Sequence, residues 1–362
     1  MGAKRSTQSL HTGCRSQLRH TKHWPIGRHR AMARSGLNHE GQCIGSIYCP
    51  PMPDAVPTRP SRPVQSAALE RIARRLGRAA EAPWLHGEVA RRMAERLSLI
   101  RLQPGSLIDW WSFHGASQGL LQQAYPRARV LRVEADATLL ERSRTAAAKH
   151  WWSPRRWAGP ELGWASPQEL PSGQADLLWA NMMLHLSADP PALLQQWHRS
   201  LAVGGFLMFS TLGPGSLQGL RQAYGRAGWG SPFAPFVDMH DLGDMLVQAG
   251  FADPVMDQEL LTLTWPDANA LLRELRSLGG NADPARSTGL RTPRWQQRLC
   301  AALQSLSGPD GRISLEFELV YGHALRGTPK PRISAQTEVP LEDLRAMVRS
   351  PRRPSGNTDG LS

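Results

Sequence analysis

No stretch of this sequence approaches the ~20 consecutive apolar residues of a membrane span, and its start lacks the apolar central run of a signal peptide. No membrane partner is therefore expected, and the expected location is the cytoplasm. Cysteine is scarce, with four in 362 residues. None has CxxC or zinc-finger spacing, so neither a metal site nor a disulfide framework is indicated. Acids are missing where bases gather: residues 1–51 carry eight Lys or Arg against Glu40, and hold seven of the thirteen excess positive charges. That segment contains Cys14, Cys43 and Cys49 but no helical or alternating apolar pattern. It cannot bury enough surface to offset its chain entropy. Without interleaved aromatics or a recognisable nucleic-acid fold, its basic charge does not point to a nucleic-acid partner. Residues 1–66 are expected to be a disordered basic extension, with Met52 a candidate start and 350–362 a disordered tail.

What is present is a long alternation of apolar segments. Two amphipathic helices are predicted between Ala67 and Leu102, with Leu69, Ile72, Leu76 and Val89, Met93, Leu97 at helical spacing. Leu107 and Ile108 begin a strand reaching Asp109, a helix carries Leu120 and Leu121, and Arg129 to Val133 is a second strand closing on Glu134. A helix from Thr138 to His150, a short strand near Trp164, a buried strand Ala175–Ala180, a helix from Pro190 to Leu201 and a strand Phe206–Thr211 after a Gly204-Gly205 turn continue the pattern. Strands alternating with helices of this length predict an α/β fold with a doubly wound parallel sheet. A helix over His240–Ala249 and a strand from Ala252 to Leu263 follow, and Arg312–Leu325 alternates as an antiparallel edge strand beside that one. Helical patterns in about 213–235 and 265–300 are expected to form a lid over a domain spanning 67–349. Cys300, in an apolar helical context, is read as core.

Ligands of such sheets bind beyond the carboxyl ends of the strands. The segment SLIDWWSFHGASQGLLQQAYPRARVLRVEAD, residues 106–136, is laid out as in S-adenosylmethionine-dependent methyltransferases, whose first strand is followed by G-x-G-x-G. Trp111 and Phe113 replace the first two glycines, and only Gly115 keeps its place. Either the loop is displaced and the rings form a remodelled pocket, or the pocket is blocked. Glu134 suits a ribose diol, because a carboxylate accepts two hydroxyl hydrogen bonds. Asp109 either caps the loop or takes the methionine ammonium through water. Ser166 stands where an acid would face adenine, and Glu169 is a displaced substitute. After the fourth strand, Asn181 suits a substrate carbonyl, and His185 suits a base or a hydrogen-bond donor. Arg221, Arg273, Arg276, Arg291 and Arg294 cluster in the expected lid, where guanidinium forks suit a carboxylate or an acidic carrier protein.

The segments ADLLWANMMLHLSADP, LAVGGFLMFSTLGPGSLQGLRQAY, FVDMHDLGDMLVQAGF, LTWPDANALLRELRSLGGNA and FELVYGHAL closely resemble the malonyl-acyl-carrier-protein O-methyltransferases of biotin synthesis, the BioC type. The resemblance covers roughly 69–326 and is weakest over 106–170. It implies a Rossmann-like class I methyltransferase sheet, S-adenosylmethionine as cofactor, and malonyl-acyl carrier protein as substrate and partner. Asp109, Gly115 and Glu134 are carried over to the cofactor site, and Asn181 and His185 to the donor–acceptor junction. Trp111, Phe113 and Ser166 depart from the family pattern, and His185 stands where the family tends to have Gln. The alternative is a methyltransferase-like protein that has lost catalysis and binds the carrier or a partner enzyme.

Overall fold

The computed structural model describes residues 64–148, 162–287 and 289–328. Met52, Cys14, Cys43, Cys49 and the expected tail 350–362 lie outside the described residues. Two helices open the described chain, α1 (Ser66–Gly77) and α2 (Trp84–Leu97). Of the apolar positions read from spacing, Ile72 and Leu76 on α1 and Val89, Met93 and Leu97 on α2 are buried, and Leu69 is partly buried.

Seven strands follow: β1 (Ser106–Trp110), β2 (Arg129–Val133), β3 (Leu162–Ala165), β4 (Ala175–Ala180), β5 (Leu201–Leu212), β6 (Ala252–Trp265) and β7 (Ile313–Leu325). They form one sheet in the order β3-β2-β1-β4-β5-β7-β6. The first five run parallel, and β7 enters antiparallel between β5 and β6. The antiparallel pair expected at the carboxyl end is thus present, with β6 at the edge. Strand order reverses between β1 and β4, which places a ligand crevice at their carboxyl ends.

The reason for the parallel centre lies in the side chains. In β4, Leu177, Leu178, Trp179 and Ala180 are all buried, a run that only a sheet covered on both faces accommodates. One face packs α2, and on it lie Leu220, Tyr224, Leu271, Leu299 and Leu303 together with Phe317. The five before Phe317 belong to the helices Gln218–Ala227, Ala268–Leu278 and Pro293–Gln304, and Phe317 to β7. Cys300 is partly buried against this cluster. The other face packs the helices Pro190–Ser200 and Met239–Gln248. Its centre is Trp197, whose ring meets Trp110 edge-on at 5.7 Å and Phe209 at 6.2 Å.

Gly204-Gly205 is not a turn before β5, as expected, but a bulge inside it. The register slips between Ala175 and Leu177, and Gly204 takes φ +84. A Cβ on Gly205 would lie 2.8 Å from the Ala175 carbonyl oxygen, so the glycine permits strands to meet where a side chain would part them.

Gly322 of β7 pairs with Phe209 of β5, and a Cβ there would collide with the Phe209 ring. Gly322→Ala is expected to lower the unfolding free energy by about 1–3 kcal/mol through overpacking, measured by urea denaturation.

Candidate functional site

The turn after β1 is built on the αL backbone that glycine favours. Trp111 and Ala116 both have φ +52, bracketing the single helical turn Ser112–Gly115. Asp109, fully buried, holds this turn: it accepts from Ser112 Oγ at 2.6 Å and Ser117 Oγ at 2.8 Å. Burial raises its pKa above the usual carboxylate range, opposed by the two hydroxyls and Arg132. The geometry is that of the loop cap, the first of the two readings of Asp109. Gly115 packs tightly, since a Cβ would sit 3.2 Å from Ser117 Oγ and 3.6 Å from Asn181 Cβ.

Glu134 closes β2 as expected. It is buried, accepts from Ser143 Oγ at 2.9 Å, and receives only a long 3.4 Å contact from the Phe113 N–H. Desolvation pushes its pKa up to about 7, with Asp109 adding to the rise and Ser143, Phe113 and Arg132 opposing it. Across the loop, Arg142 stacks over the Phe113 ring at 4.5 Å and donates to the carbonyls of Gly77, Ala79 and Ala80. Asp109, Gly115 and Glu134 are all buried. Both nitrogens of His114, Nε2 of His86 and Nε1 of Trp111 are buried there with no protein partner.

Ser166 and Glu169 face each other. The Ser166 N–H donates to Glu169 at 2.9 Å, closing a capping box on a short 3-10 turn. Asn181, expected near a substrate carbonyl, is committed to the scaffold. Its Nδ2 donates at 2.7 Å to the carbonyls of both His86 and Gly115, and its Oδ1 accepts from Ser210 Oγ at 2.7 Å. Both Nδ2 hydrogens and one lone pair of Oδ1 are thereby spent on the scaffold.

His185 lies elsewhere, on the wall of a cavity of about 650 Å³. Its Nδ1 is 3.4 Å from Thr211 Oγ1, and its ring meets Phe236 edge-on. Arg273, Arg276 and Arg291 line the same cavity beside Leu212, Leu272 and Phe317. Arg221 does not; it stacks at 4.5 Å over Phe233, which does. Among the described residues, ion pairs gather instead on Arg91, Arg92 and Arg96, leaving the cavity arginines without carboxylate partners.

Arg75 joins this wall without having been singled out, because a basic helix face reads as solvated surface. Its guanidinium donates to the carbonyls of Gly279 and Arg276, and its pKa is lowered by burial and by the Arg276 charge. Tyr224, in the helix Gln218–Ala227, is also on the wall.

A methyltransferase domain model matches residues 114–209. The chain is 40% identical over 270 residues to the malonyl-[acyl-carrier protein] O-methyltransferase of Laribacter hongkongensis, covering 74% of this chain and 90% of that protein. It is 39% identical over 254 residues to that of Gallionella capsiferriformans, covering 69% and 86%. Among solved structures, YcgJ of Bacillus subtilis is similar at 9% identity with a TM-score of 0.46, over 67% of this chain and 99% of that one. The sheet order, the matched domain and these relatives in sequence define a Rossmann-like methyltransferase of the S-adenosylmethionine-dependent class. Within that class the chain belongs to the malonyl-[acyl-carrier protein] O-methyltransferase family. Among the described residues, no helix is long and apolar enough to cross a membrane.

Because the folded protein raises the pKa of Glu134 from 4.5 to about 7, the folded state holds a proton that the unfolded chain releases. Stability at this site is therefore complete below pH 4.5 and falls as pH rises toward 7. Glu134→Gln is expected to flatten that fall, measured by urea unfolding across this pH range.

Proposed function

We infer that this protein transfers a methyl group from S-adenosylmethionine to the free carboxylate of malonyl held as a thioester on acyl carrier protein, a step of biotin synthesis. The observation that carries the reading is the shared cavity. It joins His185, at the end of β4 where the sheet presents its ligands, to Arg75, Arg273, Arg276 and an apolar channel.

The cofactor's surroundings suit it in chemical kind. Glu134 is a buried carboxylate short of donors, and a ribose diol supplies two. When bound, S-adenosylmethionine provides an electrophilic methyl group on a sulfonium. The acceptor needs no general base, since a malonyl carboxylate is already ionised at neutral pH. The protein's work is to bind, orient and exclude water. Arg273 or Arg276 grips one carboxylate oxygen and leaves the other for attack. Leu212, Leu217 and Phe317 keep the reacting atoms dry, and His185 donates to the thioester side of the substrate. The apolar wall at Leu272, Leu275 and Leu299 suits the carrier's long prosthetic arm. Esterification masks the charge, which lets chain-elongating enzymes accept the product.

The second reading, a carrier-binding protein without catalysis, draws on one observation: the cavity does not reach Asp109, Gly115 or Glu134. Mass spectrometry of malonyl-acyl carrier protein incubated with the full chain and S-adenosylmethionine separates the two. A methyl ester, a mass gain of about one methylene, supports transfer, and carrier binding without ester supports the second reading. Arg273→Ala and Arg276→Ala are expected to raise KM for the malonyl carrier about tenfold or more, the loss of a charge-assisted hydrogen bond. Initial rates check this, and unchanged KM in both variants overturns the arginine assignment.

A further inference from the structure

In a glycine turn, bare backbone receives the cofactor. In this chain three carbonyls of that turn are already occupied. The Gly115 carbonyl accepts from Asn181 and the His114 carbonyl from His86 Nδ1 at 2.8 Å. The Trp111 carbonyl accepts from the Gly115 N–H at 2.9 Å. What the turn has in surplus is side-chain polarity. His114 is fully buried, its ring 5.7 Å from that of Trp111 and 5.5 Å from that of Phe113. Neither of its nitrogens has a partner.

The hydrogen-bonding roles follow from chemistry. His86 Nδ1 faces a carbonyl oxygen, which only accepts, so Nδ1 carries the proton and the buried Nε2 is a bare lone pair. Burial drives both imidazoles down to about 4, so both are neutral at pH 7. A neutral His114 offers one N–H and one lone pair. Trp111 Nε1, also buried and unpartnered, offers an N–H. The cluster therefore presents two donors and two acceptors, all shielded from water, where unmet polar groups are costly. A zwitterionic α-amino acid complements that set: its carboxylate takes the donors and its ammonium supplies the acceptors.

We propose that Trp111, His114 and His86 form a side-chain grip for the α-amino-acid end of the cofactor, replacing the backbone contacts of the missing glycines. The proposal rests on the reading that this chain uses S-adenosylmethionine. It gives the aromatic substitutions a ligand-binding role at this turn. Neither histidine would be found from a glycine motif, because the motif locates backbone and these are side chains from two elements.

Calorimetric titration of the full chain tests it with two stable ligands: S-adenosylhomocysteine, which has the amino-acid end, and 5′-methylthioadenosine, which has the nucleoside without it. His114→Leu is expected to weaken S-adenosylhomocysteine by about tenfold or more while changing 5′-methylthioadenosine by less than about twofold. His114→Asn, which keeps a donor and an acceptor, is expected to recover most of that loss. Should His114→Leu fail to fold, Trp111→Phe keeps an aromatic ring but removes the indole N–H, and is expected to weaken S-adenosylhomocysteine selectively by about threefold or more. Equal weakening of both ligands, or unchanged S-adenosylhomocysteine affinity, overturns the grip and leaves the cofactor reading standing. A wild-type chain that binds neither ligand overturns both.

Discussion

The chain has to reverse direction within a few residues after β1, and it does so with two non-glycine residues in the left-handed region. Each such residue costs roughly 1–2 kcal/mol, so the turn persists only because its surroundings hold it. Asp109 ties Ser112 and Ser117 from within the turn, while His86 of α2 and Asn181 beyond β4 take its carbonyls from outside. Asn181 is in turn fixed by Ser210 of β5. The turn is thus the point at which α2, β1, β4 and β5 are joined by polar contacts. A carboxylate buried on this scale is tolerable because both its oxygens are bonded and Arg132 lies nearby. Glu134, whose second donor is the more distant Phe113 N–H, is pushed in the same direction by burial, up to about 7.

The second set of constraints fixes the amino-terminal helix over this edge. Arg142 reaches the carbonyls at the end of α1, and Arg75 of α1 reaches the carbonyls of Gly279 and Arg276. The Gln65 N–H donates to the Ala282 carbonyl at 2.9 Å. Ile72 packs so close to Gly280 that a Cβ there would meet it at 3.1 Å. The first helix therefore belongs as much to the cavity wall as to the sheet. Arginines that meet carbonyls at helix ends hold position with little dependence on ionic pairing. The exposed pairs of Arg91 with Glu88 and Glu95 contribute little. Arg92 and Arg96 do more, by tying α2 to Glu259 and Asp257 on the edge strand β6, which blunts an otherwise open edge.

Much of the fold was legible in advance, because apolar periodicity reports burial directly. The run ADLLWA in β4 and the alternation in ISLEFELVYGHAL of β7 point respectively to a strand covered on both faces and to one partly solvated. The Gly204-Gly205 bulge was misread as a turn, since glycine marks special backbone without saying whether the cause is a reversal or a close neighbour. Of the site, His185, Arg273 and Arg276 lie on one cavity and Arg221 does not. Asn181 does not look different in sequence from a ligand-binding amide. Only its three partners, 95, 66 and 29 residues away, show it to be a brace. Arg75 was passed over for the converse reason, as its two carbonyl partners lie about 200 residues further on.

The family, the order of strands and helices, and the loss of two glycines after Asp109 are properties of the sequence alone, because they depend on local pattern and residue identity. Which polar groups are spent on the scaffold and which are left bare is decided only by the tertiary structure. A hydrogen bond depends on where partners meet in space, and the partners of Asn181, His86, Arg75 and His114 are brought together by the packing of elements distant in the chain.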